Sequence, residues 1–330
     1  MFPSMPQEDP WDADASKQVA RLTPGKPKAG MYNAVPDEEE DDRPSSDDDL
    51  EEIPVIPVRP RLSVAIAGFA GLLTIALALG AQTTGPDARY PYAIVLFGIQ
   101  LLGVLAWTMA LTPPAAAVTA GAAALAALTA DYLAVTGTPV SLMPLLYTTG
   151  AGFVVAAVAQ VLRADDRRRA RDMWRSTLML VGGAVAYAFL LLLIREPLGA
   201  QTILVCCVGA GVSLVVARLA DAVLPKPRIA AQVPRGAAGI VLGAMLGTLA
   251  AALVGSYLVL PFTPANCAVV GLVAAVAATL VDLAVNFGEA GRELAGDAPT
   301  FWLARHMQGP LGGFALMAPA AYVLVHWYLS

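Results

Sequence analysis

Nine apolar runs, each near the length needed to cross a bilayer, fill residues 61–330. They lie at roughly 62–79, 92–111, 115–135, 141–162, 177–194, 201–219, 237–260, 266–286 and 309–329. A spanning helix takes about 20 consecutive apolar residues, and in lipid only a helix or a closed barrel satisfies its own backbone polar groups. The breaks between the runs carry proline, glycine or charge, as at Pro113-Pro114, Arg195 to Pro197 and Pro261 to Pro264. The pattern predicts an all-α, polytopic transmembrane bundle of about nine spans. With 57% hydrophobic and 14% charged residues the chain is far from the composition of soluble domains, about 45–50% apolar and 25% charged. That excludes an ordinary globular enzyme and a disulfide-rich scaffold. Cys206, Cys207 and Cys267 all sit inside apolar runs without metal-ligand spacing, and they read as packing residues.

Residues 1–60 belong to a different class. Residues 1–52 hold 15 acids against 5 bases, with the acids concentrated between Asp37 and Glu52. A segment this rich in acid, proline and serine buries too little apolar area to offset its ordering entropy, so it reads as a disordered acidic tail. Ile53 to Pro60 alternates proline with β-branched residues and reads as a stiff spacer. The segment lacks the basic start and short apolar run of a signal peptide. Its charge suits a basic protein partner. The expected division is therefore a cytoplasmic tail over 1–60 and a transmembrane helical domain over 61–330.

Basic residues set the expected orientation. With the N-terminus in the cytoplasm, the inner segments from Arg59 at the tail's end onward hold 14 Lys and Arg residues, and the outer segments hold only Arg89 and Arg195. The C-terminus is then outside, with Trp327 and Tyr328 as interfacial anchors. Arginine outnumbers lysine 17 to 4 in an alanine-rich chain, which suggests a GC-rich bacterial genome and hence a plasma-membrane location.

Gly239, Gly243, Gly247, Ala251 and Gly255 recur every four residues and place a smooth stripe along one helix face. Such stripes let a second backbone approach closely, within the chain or between the copies of a homodimer. Ionisable residues at membrane depth are few and are functional candidates by default. Asp282 and Asn286 stand four apart near the inner end of the eighth run, Asp221 ends the sixth, and Asp131 lies near the outer end of the third. The 287–308 connection adds Glu289, Arg292, Glu293, Asp297, Arg305 and His306. An inner mouth gathering Asp221, Asp282 and Glu289 near Arg228, Arg235 and Arg292 would suit Mg²⁺ and phosphate, because carboxylates hold hard cations and arginine forks match phosphate oxygens. No glycine-rich phosphate loop, zinc motif, serine elbow or dinucleotide fingerprint is present, and the arginine clusters give no nucleic-acid footprint.

The order of these features resembles the CDP-diacylglycerol synthase (phosphatidate cytidylyltransferase) family over roughly residues 140–330. Ala220-Asp221-Ala222 stands where the family ends a helix on a Ser/Ala-Asp step. Lys226-Pro227-Arg228-Ile229 and Val233-Pro234-Arg235-Gly236 stand where it has a basic stretch and a Ser-Pro-Lys-Lys-Thr-x-Glu-Gly segment. Gly239 opens the next helix, Val281-Asp282-Leu283 matches Gly-Asp-Leu, and Pro319-Ala320-Ala321-Tyr322 matches the proline and aromatic of the last helix. The resemblance implies an inner-face enzyme that joins CTP to phosphatidic acid with Mg²⁺. Most of the signature is missing. Gly309-Pro310-Leu311-Gly312-Gly313 keeps only a shadow of the family's Pro-Gly-His-Gly-Gly turn, and the Asp-Arg-x-Asp block has no counterpart. Of the family's functional residues only Asp221, Asp282 and Arg235 fall on matching positions. Nucleotidyl transfer concentrates negative charge that needs a divalent metal held by several carboxylates. The expectation is thus a degenerate member without cofactor, serving as a lipid-associated regulatory or scaffold protein and touching anionic phospholipid. A working enzyme on a rearranged site and an unrelated transporter are the alternatives.

Overall fold

The computed structural model describes residues 58–83, 89–113, 115–163, 168–295 and 301–329. The acidic segment of the tail, Asp297 and the side chains of Arg163, Arg167, Arg168, Arg169 and Arg171 lie outside the described residues. Among the described residues there are ten α-helices: α1 Pro60–Thr83, α2 Arg89–Leu111, α3 Ala116–Thr136, α4 Met143–Arg163, α5 Arg168–Ala186, α6 Ala188–Leu193, α7 Gly199–Val223, α8 Ala237–Gly255, α9 Pro264–Leu294 and α10 Trp302–Leu324. A π-helical turn at Val325–Leu329 extends α10. Nine of the segments are long and apolar enough to cross a membrane, with α5 and α6 joined through Tyr187 into one span. The bundle is the polytopic all-α fold that the apolar runs predict.

Two sets of polar contacts mark the two ends of the bundle. At one end Arg89 Nη1 donates to the Val135 carbonyl at 3.2 Å, Arg195 Nη1 to Ala134 at 2.8 Å and Gln82 Nε2 to Ala200 at 2.8 Å. At the other, Arg292 Nη1 donates to the Ala110 carbonyl at 2.5 Å. This second end gathers Arg59, Arg61, Arg175, Lys226, Arg228, Arg235, Arg292 and Arg305, and it is called the basic face below.

The two helices with the most polar ends differ from the hydropathy boundaries. α9 continues eight residues past Asn286 to Leu294, and α10 starts at Trp302 rather than near 309. The stretch 287–308 is therefore mostly helix, not loop. Hydropathy marks where the chain leaves lipid, whereas an i,i+3 pair such as Glu289–Arg292 keeps the helix intact beyond that point. Gly309 to Gly313 forms no turn either. Pro310 and Pro319 both lie inside α10, because neighbouring groups in a packed bundle re-satisfy the carbonyls that proline frees. The bundle also contacts this stretch of α10 directly: the Tyr187 hydroxyl donates to the Leu311 carbonyl at 2.6 Å.

α7 is the centre of one half of the bundle and packs along α1, α8 and α9. The α8 stripe is consumed in these contacts. A Cβ on Gly239 would lie 2.7 Å from the Ala217 carbonyl oxygen, and one on Gly243 would lie 2.5 Å from that of Ser213. A Cβ on Gly247 would strike the Gly209 carbonyl, and Gly271 of α9 faces Ala251. Ser213 and Thr279 exchange a hydrogen bond at 3.0 Å between α7 and α9. All three cysteines are buried and free.

Candidate functional site

The polar cluster begins with helix periodicity. Arg218 and Asp221 stand three apart near the end of α7 and so share a face. Asp282 stands near them on α9, wholly buried. The connection after α7 turns back through a backbone bridge between Arg228 and Gly236, and it delivers Arg235 between the two acids. Arg235 is 1% exposed, and Asp221 and Asp282 are wholly buried.

Each carboxylate is spoken for. Asp282 takes Arg218 on Oδ1 and Arg235 on Oδ2. Asp221 Oδ2 lies 2.8 Å from Arg235 Nε, and Asp221 Oδ1 accepts the Gly236 N–H at 2.9 Å. Two positive and two negative charges cancel in a buried space, the arrangement that buried charge requires. Gly239 and Gly309 crowd the acids from α8 and α10. A Cβ on Gly239 would lie 2.5 Å from Asp221 Oδ1, and one on Gly309 would strike Asp282.

Glu289 and Arg292 belong to a second cluster. Glu289 pairs with Arg292 and, at 2.9 Å, with Arg305 Nε, while Arg305 also reaches Glu293. These pairs tie the end of α9 to the start of α10. A pocket of about 30 Å³, room for roughly one water, separates the two clusters and is lined by Arg218, Asn286, Glu289 and Arg305. Asn286 is turned inward on its own helix, where its amide donates to the Asp282 carbonyl at 2.5 Å. Arg228 sits half-buried in the α7–α8 connection.

The structure therefore brings Asp221, Asp282 and Arg235 into one cluster and places Glu289 and Arg292 in its neighbour. It adds Arg218, which the sequence reading counted only as an orientation signal. The Arg218-x-x-Asp221 spacing was the available clue, since a carboxylate as deep as Asp282 demands a cation. The donor set does not fit Mg²⁺. A hard cation needs several free carboxylate oxygens, and here guanidinium groups and the Gly236 N–H stand against them. No group of three or more His, Cys, Asp or Glu residues able to bind a metal occurs among the described residues.

A third polar pair lies deep between α2 and α3. Gln100, fully buried, donates from Nε2 to Asp131 Oδ1 at 2.9 Å. Gln100 Oε1 and Asp131 Oδ2 have no hydrogen-bond partner. Gln100→Leu is expected to cost about 1–3 kcal/mol, because it strips the buried Asp131 of its donor. Asp131→Asn, which keeps the acceptor, is expected to cost less. Unfolding temperatures in detergent compare the two.

Gln100 also lines a cavity of about 1050 Å³ between α2, α5, α9 and α10, together with Trp107, Tyr187, Glu289, Arg292 and Gln308. Neither a family model, nor a curated protein, nor a solved structure matches this chain.

Proposed function

We propose that this chain is a non-catalytic, lipid-associated membrane protein built on a scaffold like that of the CDP-diacylglycerol synthases, acting as a regulatory or assembly subunit. One observation carries the reading. The two acids that match the family's catalytic positions, Asp221 and Asp282, are held by Arg235 and Arg218 rather than left open to metal and nucleotide. A site that has exchanged metal ligation for internal ion pairing has nothing to offset the charge that develops when a phosphate attacks CTP. The one-sided distribution of basic groups supports a bacterial plasma-membrane protein with the basic face and N-terminus in the cytoplasm and the C-terminus outside. The acidic tail then faces cytoplasmic partners.

The test is a turnover assay on folded, purified protein with CTP, phosphatidate and Mg²⁺, run beside an active member of the family. No turnover is expected. Formation of CDP-diacylglycerol above background overturns the reading in favour of an active cytidylyltransferase.

A further inference from the structure

We infer that Asp131 and Gln100 form a proton-binding site inside the bundle, in which the Asp131 carboxyl holds a proton and donates it to the Gln100 side-chain carbonyl. Two observations carry this.

The first is a contrast among the buried acids. Asp221 and Asp282 stand against Arg235 and Arg218, and Glu289 stands against Arg292 and Arg305. Asp131 is 3% exposed within a spanning helix, and among the described residues no cation forms an ion pair with it. A carboxylate in that position has neither water nor a positive charge to offset its own. Such a group is held neutral by a proton.

The second is which atoms lack partners. A carboxylic acid and a primary amide can close a ring of two hydrogen bonds. The amide N–H donates to the acid carbonyl, and the acid O–H donates to the amide carbonyl. The first bond is present, from Gln100 Nε2 to Asp131 Oδ1 at 2.9 Å. The two atoms that the second bond would join, Asp131 Oδ2 and Gln100 Oε1, are the two left without a partner on these side chains. In the ionised pair both atoms are acceptors and cannot bond. One proton on Oδ2 satisfies both.

The charged and titratable groups on the helices around α3 are engaged elsewhere. α3 packs against α2, α4, α5 and α6. On α2, Arg89 donates to the Val135 carbonyl, Tyr90 is exposed, and the Tyr92 ring lies against Gly80 of α1. On α4, Tyr147 is exposed and Arg163 stands at the far end, while α5 carries its charges between Arg168 and Arg175, at the basic face. Asp131 lies five residues from Thr136, at the opposite end of α3. Beside α6, Tyr187 donates to Leu311, and Arg195 donates to the Ala134 carbonyl with Glu196 next to it in the chain.

The proton acts as a clasp between α2 and α3. Its release leaves a negative charge on Asp131 and two acceptors with no donor between them. Relief requires α2 to move off α3 and admit water. Gln100 stands in the wall of the large cavity with its amide directed to Asp131, so proton occupancy governs whether that wall stays closed. The folded chain holds a proton that an unfolded aspartate gives up, so this contribution to stability is lost as pH rises.

The test is infrared spectroscopy of full-length protein in detergent near neutral pH. A protonated carboxyl has a carbonyl stretch above the amide band, which a carboxylate lacks. One such band is expected in the wild-type protein and is expected to vanish in Asp131→Asn. In Gln100→Leu, or in the shorter Gln100→Asn, the band is expected to move to higher frequency as the acid loses its partners. A wild-type spectrum without the band overturns the proposal, as does a band that both folded Gln100 variants leave unmoved. Thermal unfolding supplies the second readout. Asp131→Asn puts an amide N–H where the acid O–H stands, at every pH. Between about pH 5 and about pH 9 the wild-type protein is expected to lose at least about 3 °C more than this variant. An equal or smaller loss overturns the proposal, since a carboxyl that releases no proton over that range is no proton-binding site. The site does not depend on the non-catalytic role: neither readout uses CTP or lipid, and turnover in the assay above would leave it standing.

Discussion

Arg235→Ala is expected to destabilise the protein by about 3–5 kcal/mol, the usual cost of removing one partner from a buried ion pair. Arg235 is the single cation placed between Asp221 and Asp282, both wholly buried. Its loss leaves two carboxylates facing one remaining arginine, Arg218. It also releases the α7–α8 connection, which Asp221 otherwise pins through the Gly236 N–H. Arg235→Lys is expected to recover only part of the loss, because a single ammonium has no fork with which to reach both acids. Thermal unfolding in detergent measures both variants. A loss below about 1 kcal/mol for Arg235→Ala, the value of an exposed pair, would contradict a closed network. The same network makes a second measurable statement. Acids held by arginine owe nothing to divalent ions, so a strong chelator is expected to leave the unfolding temperature unchanged. An acid pair that held Mg²⁺ would lose stability as the ion was withdrawn.

Hydropathy was enough to place the nine spans because lipid imposes a simple rule: apolar side chains outside and backbone bonds inside. It misplaced the basic-face ends of α9 and α10 because a helix need not stop where its apolar run does. Glu289, Arg292, Glu293 and Arg305 lie beyond the apolar run and still on helix, knitted by their own ion pairs. The cluster was half legible. Asp221, Asp282 and Arg235 stand out in sequence as charge near apolar runs, and the fold brings them together. Their pairing was not legible, since it depends on how the 224–236 connection folds back. Arg218 was hidden for a different reason: counting basic residues by side ignores depth, and Arg218 is 7% exposed inside the bundle. The cavity was not legible at all. Gly103 and Gly243 are the same letter in similar apolar runs, yet one faces empty space and the other a carbonyl oxygen. Only three-dimensional packing separates a glycine that permits contact from one that preserves a void.

That difference gives the second large effect. Gly243→Leu is expected to destabilise the protein by more than about 3 kcal/mol, near or beyond the usual cost of overpacking. Its Cβ would lie 2.5 Å from the Ser213 carbonyl oxygen and 3.0 Å from the Ala217 Cβ, and backbone atoms of a spanning helix have nowhere to retreat. The only relief is separation of α7 from α8. Helices in lipid lack the hydrophobic drive of water and depend on close contact, so separation forfeits most of what holds them together. The damage would also spread, because α7 carries Arg218 and Asp221 while Arg235 sits immediately before α8. Gly98→Leu is the control. Gly98 is exposed on α2 with no atom within 4 Å of an added Cβ, so leucine there is expected to be neutral or slightly stabilising by helix propensity. Since α7 and α9 already fill the stripe within one chain, the Gly243→Leu loss should not depend on protein concentration. A concentration-dependent loss would place the stripe between two copies, and that would require α8 to leave the neighbours it has in this fold.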